Sequence, residues 1–475
     1  LIREWIEAAA RERGAAVYLA DARGGRTLTY EGLRDAVRTW ERKLDGAGLP
    51  PGARIAVRAA DPLDYATTLV ALLGAGRVAV PLDPQAPPAD LARVLEVAGP
   101  VGVTEGSFGI RILGTGSGPA DEAGIYLCTS GTTGTPKGIL LREAQLAHVA
   151  ASVALHHKIF PNDRGYCSLP LFHVNAEVVG LLATLSAGAF LAVDERFSRR
   201  GFWEMIARQR ITWINAVPAI ISILAMDPPA VVPPDVRFIR SASAPLPRAA
   251  LEAFEAAFGI PVVETYGMTE AASMITANPV SGVRKSGSAG LPAGTEVRVV
   301  TVPEAGPVTP CAPSEVGRVQ IRGAGVITAY ASGGRPGVIS ADGWLDTSDL
   351  GYLDSDGYLF LVGRSDDVIN RGGEKIYPRE IEELLLAQPG VRSAAVVGAP
   401  DDVLGERPVA WVVPAEGGDG PAAADLETAL RAACAAHLPR HKQPGAFYVV
   451  DAMPLGPTGK IARRRLKDAV SGAGR

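Results

Sequence analysis

Apolar positions recur at helical spacing in "LTYEGLRDAVRTWERKLDGAG", where Leu33, Val37, Trp40 and Leu44 fall near one face and Gly46 ends the run. Two short apolar runs, "ARIAVRA" and "RVAVPLD", lie on either side of the helical pattern "DYATTLVALLGAG" and read as strands. The same strand-helix-strand rhythm continues to about residue 290. It predicts an α/β fold whose sheet is mostly parallel and covered on both faces, with ligands at the carboxyl ends of the strands. From Gly290 to Leu361 the pattern shifts to short strands and turns, "TEVRVVTV", "EVGRVQIRG" and "GWLDTSDLGYLDSDGYLFLVGR". The Asp-Gly pairs at 342 and 356 mark tight turns there, so a small β-barrel is expected over 290–361. A compact α/β tail follows: the helix "PREIEELLLAQPG" opened by Pro378, strands "RSAAVVGA" and "PVAWVVP", a helix around "DLETALRAACAAHL", and a final strand "AFYVV". The division expected is a large body, residues 1–365, and a small mobile domain, residues 366–475.

Composition narrows this picture. At 475 residues the chain exceeds what one core usually serves, and with 47% hydrophobic and 21% charged residues it can bury a large one. A net charge of -4 gives no global attraction to nucleic acid or to an anionic membrane, so neither is expected as a partner. Cys128, Cys167, Cys311 and Cys434 are scattered, without a CxxC pair or a His at ligand spacing, which supports neither a disulfide framework nor a zinc site. The most apolar run, "VVGLLATLSAGAFLAV", lies between Glu177 and Asp194 and is too short and interrupted for a membrane span. The opening "LIREWIEAAARERG" lacks an initiator Met and the pattern of a signal peptide; a trimmed chain and a reducing, cytoplasmic setting are expected.

Candidate chemistry begins at "TSGTTGTPKG", residues 129 to 138. Glycine lets backbone amides approach an oxyanion, Ser and Thr add hydroxyl donors, and Lys137 adds a charge, so the stretch suits a polyphosphate. It is not a Walker A loop, because Pro136 precedes Lys137 and Gly138 follows it. A plain Gly/Thr surface loop is the alternative for a random stretch of this kind. Three further stretches, "RSASAPLP", "ETYGMTEAA" and "PLGPTGKIARR", follow in that order along the chain. Together these motifs resemble the adenylate-forming superfamily of acyl- and aryl-CoA synthetases, firefly-type luciferases and peptide-synthetase adenylation domains, over essentially the whole chain. Ala242 departs from the pattern, standing where many relatives have Gly.

The resemblance implies roles for particular residues. Thr129, Ser130, Gly131, Thr132, Thr133, Gly134 and Lys137 would cradle ATP phosphates, and Tyr266 and Gly267, with Ser243 and Ala244, would line the adenine site. Thr269 would touch the α-phosphate and Glu270 would hold Mg2+; a carboxylate beside ATP is useful with a divalent cation between them. Asp349 and Arg364 would take the ribose, Lys460 would be the catalytic lysine, and Asp366 the hinge about which the C-terminal domain swings. Gly373, in the Gly372-Gly373-Glu374 loop, would line a pantetheine tunnel.

The reaction so implied joins a small carboxylic acid to ATP as an acyl-adenylate, then transfers the acyl group to a thiol. CoA, or the phosphopantetheine of an acyl carrier protein, would be the acceptor. "PLFHVNAEVVGLL" resembles the CoA-synthetase form of the pocket entry, with His173 as gate and Val174 where peptide synthetases carry the Asp that binds an α-amine. The expected acyl lining is Asn175, Ser243, Thr265, Ser273 and Met274, polar and without an obvious second cation; the wording is nearest to small-acid, oxalyl-CoA synthetase-like members. Arg284 and Lys285 are the candidates for meeting a second carboxylate, and "ARRRLK" for touching CoA or a carrier protein. Transfer to an amine, a luciferase-like oxygenase and a non-catalytic nucleotide-binding relative are the other readings.

Overall fold

The computed structural model describes residues 1–106, 108–114, 122–129, 137–226, 228–229, 231–301, 308–334, 336–415, 423–455 and 461–472. The chain divides into two compact units: Leu1–Ser243 with Phe254–Val297 and Ile321–Leu345, and Ala244–Ala253 with Arg298–Gln320 and Asp346–Arg475.

Among the described residues the first unit holds two sheets. The larger runs in the order Leu291–Pro292, Ser273–Ala277, Val262–Met268, Phe238–Ser241, Trp213–Ala216, Arg164–Cys167, Phe190–Val193, Val17–Asp21, Thr27–Thr29. Its six strands from Val262–Met268 to Val17–Asp21 are parallel, and antiparallel strands close both edges. Strands such as Phe190–Val193 and Trp213–Ala216 are buried at every residue, as a sheet covered on both faces requires. The second sheet has a parallel centre of Gly102–Glu105, Arg54–Val57, Val78–Pro81 and Gly124–Thr129. The expected helix forms over Tyr30–Gly46 and buries Leu33, Val37, Trp40 and Leu44, with the Thr29 hydroxyl accepting from the Gly32 N–H at its start.

The apolar run 178–193 is split rather than continuous. A π-helix, Asn175–Leu182, passes into the short helix Ala183–Ser186 and then the strand Phe190–Val193. Its flanking acids are inside the protein: Glu177 is fully buried, and Asp194 accepts from Arg23 Nε at 2.8 Å and from the Tyr166 hydroxyl at 2.9 Å. No described helix is long and apolar enough to cross a membrane.

The region expected as a small barrel forms a four-stranded sheet in the order Glu296–Val300, Gly317–Arg322, Leu345–Leu353, Leu359–Arg364. Both Asp-Gly pairs make turns, with Gly343 at φ 84° and Gly357 at φ 81°, left-handed values that glycine adopts without strain. A single 3-10 turn, Ser365–Asp367, leads from this sheet to Ile369–Arg371, the start of the last one. That sheet pairs Val391–Asp401 with Gly405–Pro414, and Phe447–Val449 runs parallel to the latter. Side-chain alternation gives it two cores. Val396, Ala410 and Val412 face Ile381, Leu385, Leu426 and Leu430, whereas Ala395, Val397 and Val409 face Leu466.

Candidate active site

The candidate phosphate loop is pinned at its ends. Gly124–Thr129 and Lys137–Arg142 pair antiparallel, and Thr129 stands opposite Lys137 as the last pair. Ser130, Gly131, Thr132, Thr133 and Gly134 lie outside the described residues. The Gly138 N–H donates to the Ser332 carbonyl at 3.0 Å, and a Cβ at 138 would lie 2.0 Å from the Tyr126 hydroxyl, so glycine is required. Lys137 Nζ lies 5.4 Å from the centre of the Tyr330 ring, and the Tyr330 hydroxyl donates to Glu270 Oε1 at 3.0 Å. Glu270 sits with Thr269 in the 3-10 turn Thr269–Ala271, and its carbonyl accepts from the Ile327 N–H at 2.8 Å. A cation and a carboxylate thus both meet one phenol, Lys137 at its ring and Glu270 at its hydroxyl. Among the described residues neither forms an ion pair.

The neighbouring strand ends carry the adenine and acyl candidates. Thr265 Oγ1 donates to the Ser241 carbonyl at 3.1 Å, and Tyr266 is half-buried beside it. At Gly267 an added Cβ would stand 1.6 Å from the Ser273 carbonyl oxygen, at a register shift between the two strands. Ser273 and Met274 are buried in Ser273–Ala277, Ser273 at φ 102°. Ser243 is exposed, at φ 75°, and Asn175 Nδ2 reaches its hydroxyl at 3.4 Å. His173 is half-buried, its ring centre 4.6 Å from that of Phe172. Ala242 is buried, and its N–H donates to the Ala216 carbonyl at 3.3 Å, so the methyl is accommodated inside.

In the second unit Asp349 and Arg364 stand opposite one another in register, with Oδ1 and Nε 4.0 Å apart. The Asp349 N–H donates to Thr347 Oγ1 at 3.1 Å, and the preceding Ser348 is left-handed at φ 63°. Ala244 is exposed and belongs to this unit. Asp366 lies in the turn Ser365–Asp367, where its carbonyl accepts from Lys467 Nζ at 3.0 Å. Gly373 has φ 92° and donates its N–H to Asn370 Oδ1 at 3.1 Å. Lys460 lies outside the described residues.

The AMP-binding enzyme model matches residues 6–106 and 117–331, and the AMP-binding enzyme C-terminal domain matches residues 380–460. The chain belongs to the AMP-binding enzyme family. It is 37% identical to the sulfoacetate–CoA ligase of Cupriavidus necator over 94% of each chain. It is 38% identical to the oxalate–CoA ligase of Arabidopsis thaliana over 72% of this chain and 67% of that one. Among solved structures it resembles the o-succinylbenzoate CoA synthetase of Bacillus subtilis, bound to the acyl-adenylate intermediate. That match has 28% identity and a TM-score of 0.84, covering 98% of both chains.

The same synthetase has been solved with ATP and a magnesium ion, which raises the question of whether this AMP-binding enzyme can hold one. Among its described residues no group of three or more His, Cys, Asp or Glu could chelate a metal alone. A lone half-buried Glu270 suits Mg2+, which takes one or two carboxylates and fills its shell with phosphate oxygens and water.

Three residues of the site escape a motif reading. Tyr330, which meets both Lys137 and Glu270, comes from a stretch without pattern, "ITAYASG". Arg284 faces Glu255 at 3.4 Å, so one candidate for a second carboxylate already has a partner. A different cation is buried near the acyl candidates: Arg240, 1% exposed, in the wholly buried strand Phe238–Ser241. Its sequence neighbourhood, "FIRSASAPLP", does not mark it as buried. Glu177 is the third, fully buried, its carboxyl pushed well above the usual range by desolvation.

Proposed function

We propose that this AMP-binding enzyme is an acid–thiol ligase. It activates a small carboxylic acid with ATP as an acyl-adenylate and passes the acyl group to CoA. In the first half-reaction a carboxylate oxygen attacks the α-phosphorus and pyrophosphate leaves; in the second a thiol sulfur attacks the acyl carbon and AMP leaves. A carboxylate, with a pKa near ~4, is already the nucleophile at neutral pH, so the first step needs no general base. Catalysis then rests on alignment and on charge held around the phosphates.

The observation that carries the reading is the Lys137–Tyr330–Glu270 arrangement beside the pinned loop ends. A phenol that meets both charges leaves Lys137 available for a phosphate oxygen and Glu270 for a cation. Glu270 would hold Mg2+, which there offsets phosphate charge. The Tyr330 hydroxyl orients the carboxylate, and Thr269 is read as a contact to the same phosphates. Asp349 and Arg364 are read as ribose contacts, Tyr266 as the adenine platform, and His173 as the gate of the acyl pocket. Lys460 is read as the ammonium that bridges acid and α-phosphate. The likeness to two CoA ligases of small dianionic acids supports CoA as acceptor and a short polar acid as substrate.

The test is a pyrophosphate-release screen over a carboxylic acid panel, followed by mass spectrometry with CoA and with a carrier protein. AMP, pyrophosphate and acyl-CoA should appear in equal amounts for at least one short acid. Absence of ATP–pyrophosphate exchange with every acid would reject the ligase reading. An acyl group found only on the carrier protein would reassign the acceptor.

A further inference from the structure

Arg240 is a buried cation without an anion. Its strand register sets Asn215 beside Arg240 on one side and Cys167 on the other, so three polar or soft side chains line up across adjacent parallel strands. Arg240 Nη1 donates to Asn175 Oδ1 at 2.9 Å and to Asn215 Oδ1 at 3.1 Å, while Nε is buried without a partner. Asn215 Nδ2 donates to the same Asn175 oxygen at 3.2 Å. A guanidinium can only donate, so Asn175 must present its oxygen inward. Its amide nitrogen then faces the exposed Ser243 hydroxyl at 3.4 Å.

The titratable groups that sense this guanidinium, Cys167, His157 and His156, supply no negative charge to pair with it. Burial pushes the Cys167 thiol up to about 11, and it lowers His157 and His156, with Arg240 adding to both shifts. Arg240 itself is pushed down to about 9, chiefly by desolvation, and so remains a cation at neutral pH. No ion pair to Arg240 occurs among the described residues. A buried charge without a counter-charge is destabilising in the free protein. Its use is an anion that arrives with the ligand.

We propose that Asn175 and Ser243, backed by Arg240, form a subsite for a second acidic group on the acid substrate, a carboxylate or sulfonate one or two carbons from the reacting carboxylate. The proposal rests on the ligase reading and names the substrate class within it. Asn175 Nδ2 and Ser243 Oγ touch the distal oxyanion. Arg240 is a positioning residue: it holds the Asn175 amide donor-side out and supplies the positive potential behind it.

Two readouts test this, one of which needs no turnover. In pyrophosphate release, the wild type should favour malonate, oxalate or sulfoacetate over propionate in kcat/KM by about 100-fold, the scale of hydrogen bonds to a charged group. Arg240→Gln, which keeps a donor and removes the charge, should shrink that ratio by on the order of 30-fold, mainly through KM. Arg240→Lys should restore much of it, separating charge from folding. In thermal melts, malonate and sulfoacetate should stabilise the wild type and Arg240→Lys more than Arg240→Gln. A wild type that prefers propionate, or equal anion stabilisation in wild type and Arg240→Gln, overturns the subsite. Absent exchange with intact, charge-dependent anion stabilisation would instead sink the ligase reading and leave the subsite standing.

Discussion

At Gly267 there is no room for a methyl group. Its Cβ position lies 1.6 Å from the Ser273 carbonyl and 3.2 Å from the Met274 Cα, and both obstacles are backbone. Because a strand pair cannot yield as a flexible side chain does, Gly267→Ala should cost at least about 1–3 kcal/mol, the range for overpacking. A denaturant midpoint that falls by less than the error of the measurement would mean the two strands separate freely there. The same substitution should weaken ATP-dependent exchange, since Tyr266 and Thr269 flank the displaced position.

The element with the least ordinary chemistry is the π-helix Asn175–Leu182, buried at every residue and carrying Glu177 with neither carboxyl oxygen partnered. Desolvation holds Glu177 protonated in the folded chain at pH values where the unfolded chain has released the proton. The unfolded state then binds fewer protons, so this group lowers stability progressively as pH rises above the ordinary carboxylate range. Glu177→Gln has the same shape and no proton to lose. Its melting temperature should gain on the wild type between about pH 5 and about pH 8. A difference that stays constant over that interval would mean Glu177 is ionised inside the fold. The last described helix, Arg463–Gly472, shows the opposite treatment of charge. Arg463 clasps the buried Glu382 through Nη1 at 2.5 Å and Nη2 at 2.8 Å, so the head of the basic "ARRRLK" run is structural.

For the whole molecule the proposed cycle asks two reactions of one nucleotide site, attack of a carboxylate on phosphorus and attack of a thiol on the acyl carbon. Asp366, on a three-residue turn between two sheets and joined to Lys467 through its carbonyl, is the proposed pivot. Asp366→Pro, which fixes φ, should spare acyl-adenylate formation and suppress thioester formation, read by separate exchange and thioester assays. Equal loss in both would remove the pivot. Lys460→Ala should reverse the pattern, losing pyrophosphate exchange by several kcal/mol of transition-state stabilisation while thioester formation from preformed acyl-adenylate continues. Unchanged exchange in that variant would take Lys460 out of the chemistry.

Periodicity and turn chemistry are local, and they were readable along the chain: the Tyr30–Gly46 helix with its buried Leu33, Val37, Trp40 and Leu44, the glycine turns at 343 and 357, and Pro378 opening its helix. Lys137, Glu270 and Asp349 were singled out through the family resemblance of their motifs, and the fold brings Lys137 and Glu270 to one phenol. Neighbours across a sheet are a different matter. Strand Arg164–Cys167 lies between Phe190–Val193 and Trp213–Ala216, so Cys167, Asn215 and Arg240 become adjacent through a strand order the chain does not follow. An arginine at the head of "RSASAPLP" carries no mark of burial by itself. Only the stacking of parallel strands and the π-helix over them removed its water, left it without a counter-charge, and turned Asn175 outward as a donor.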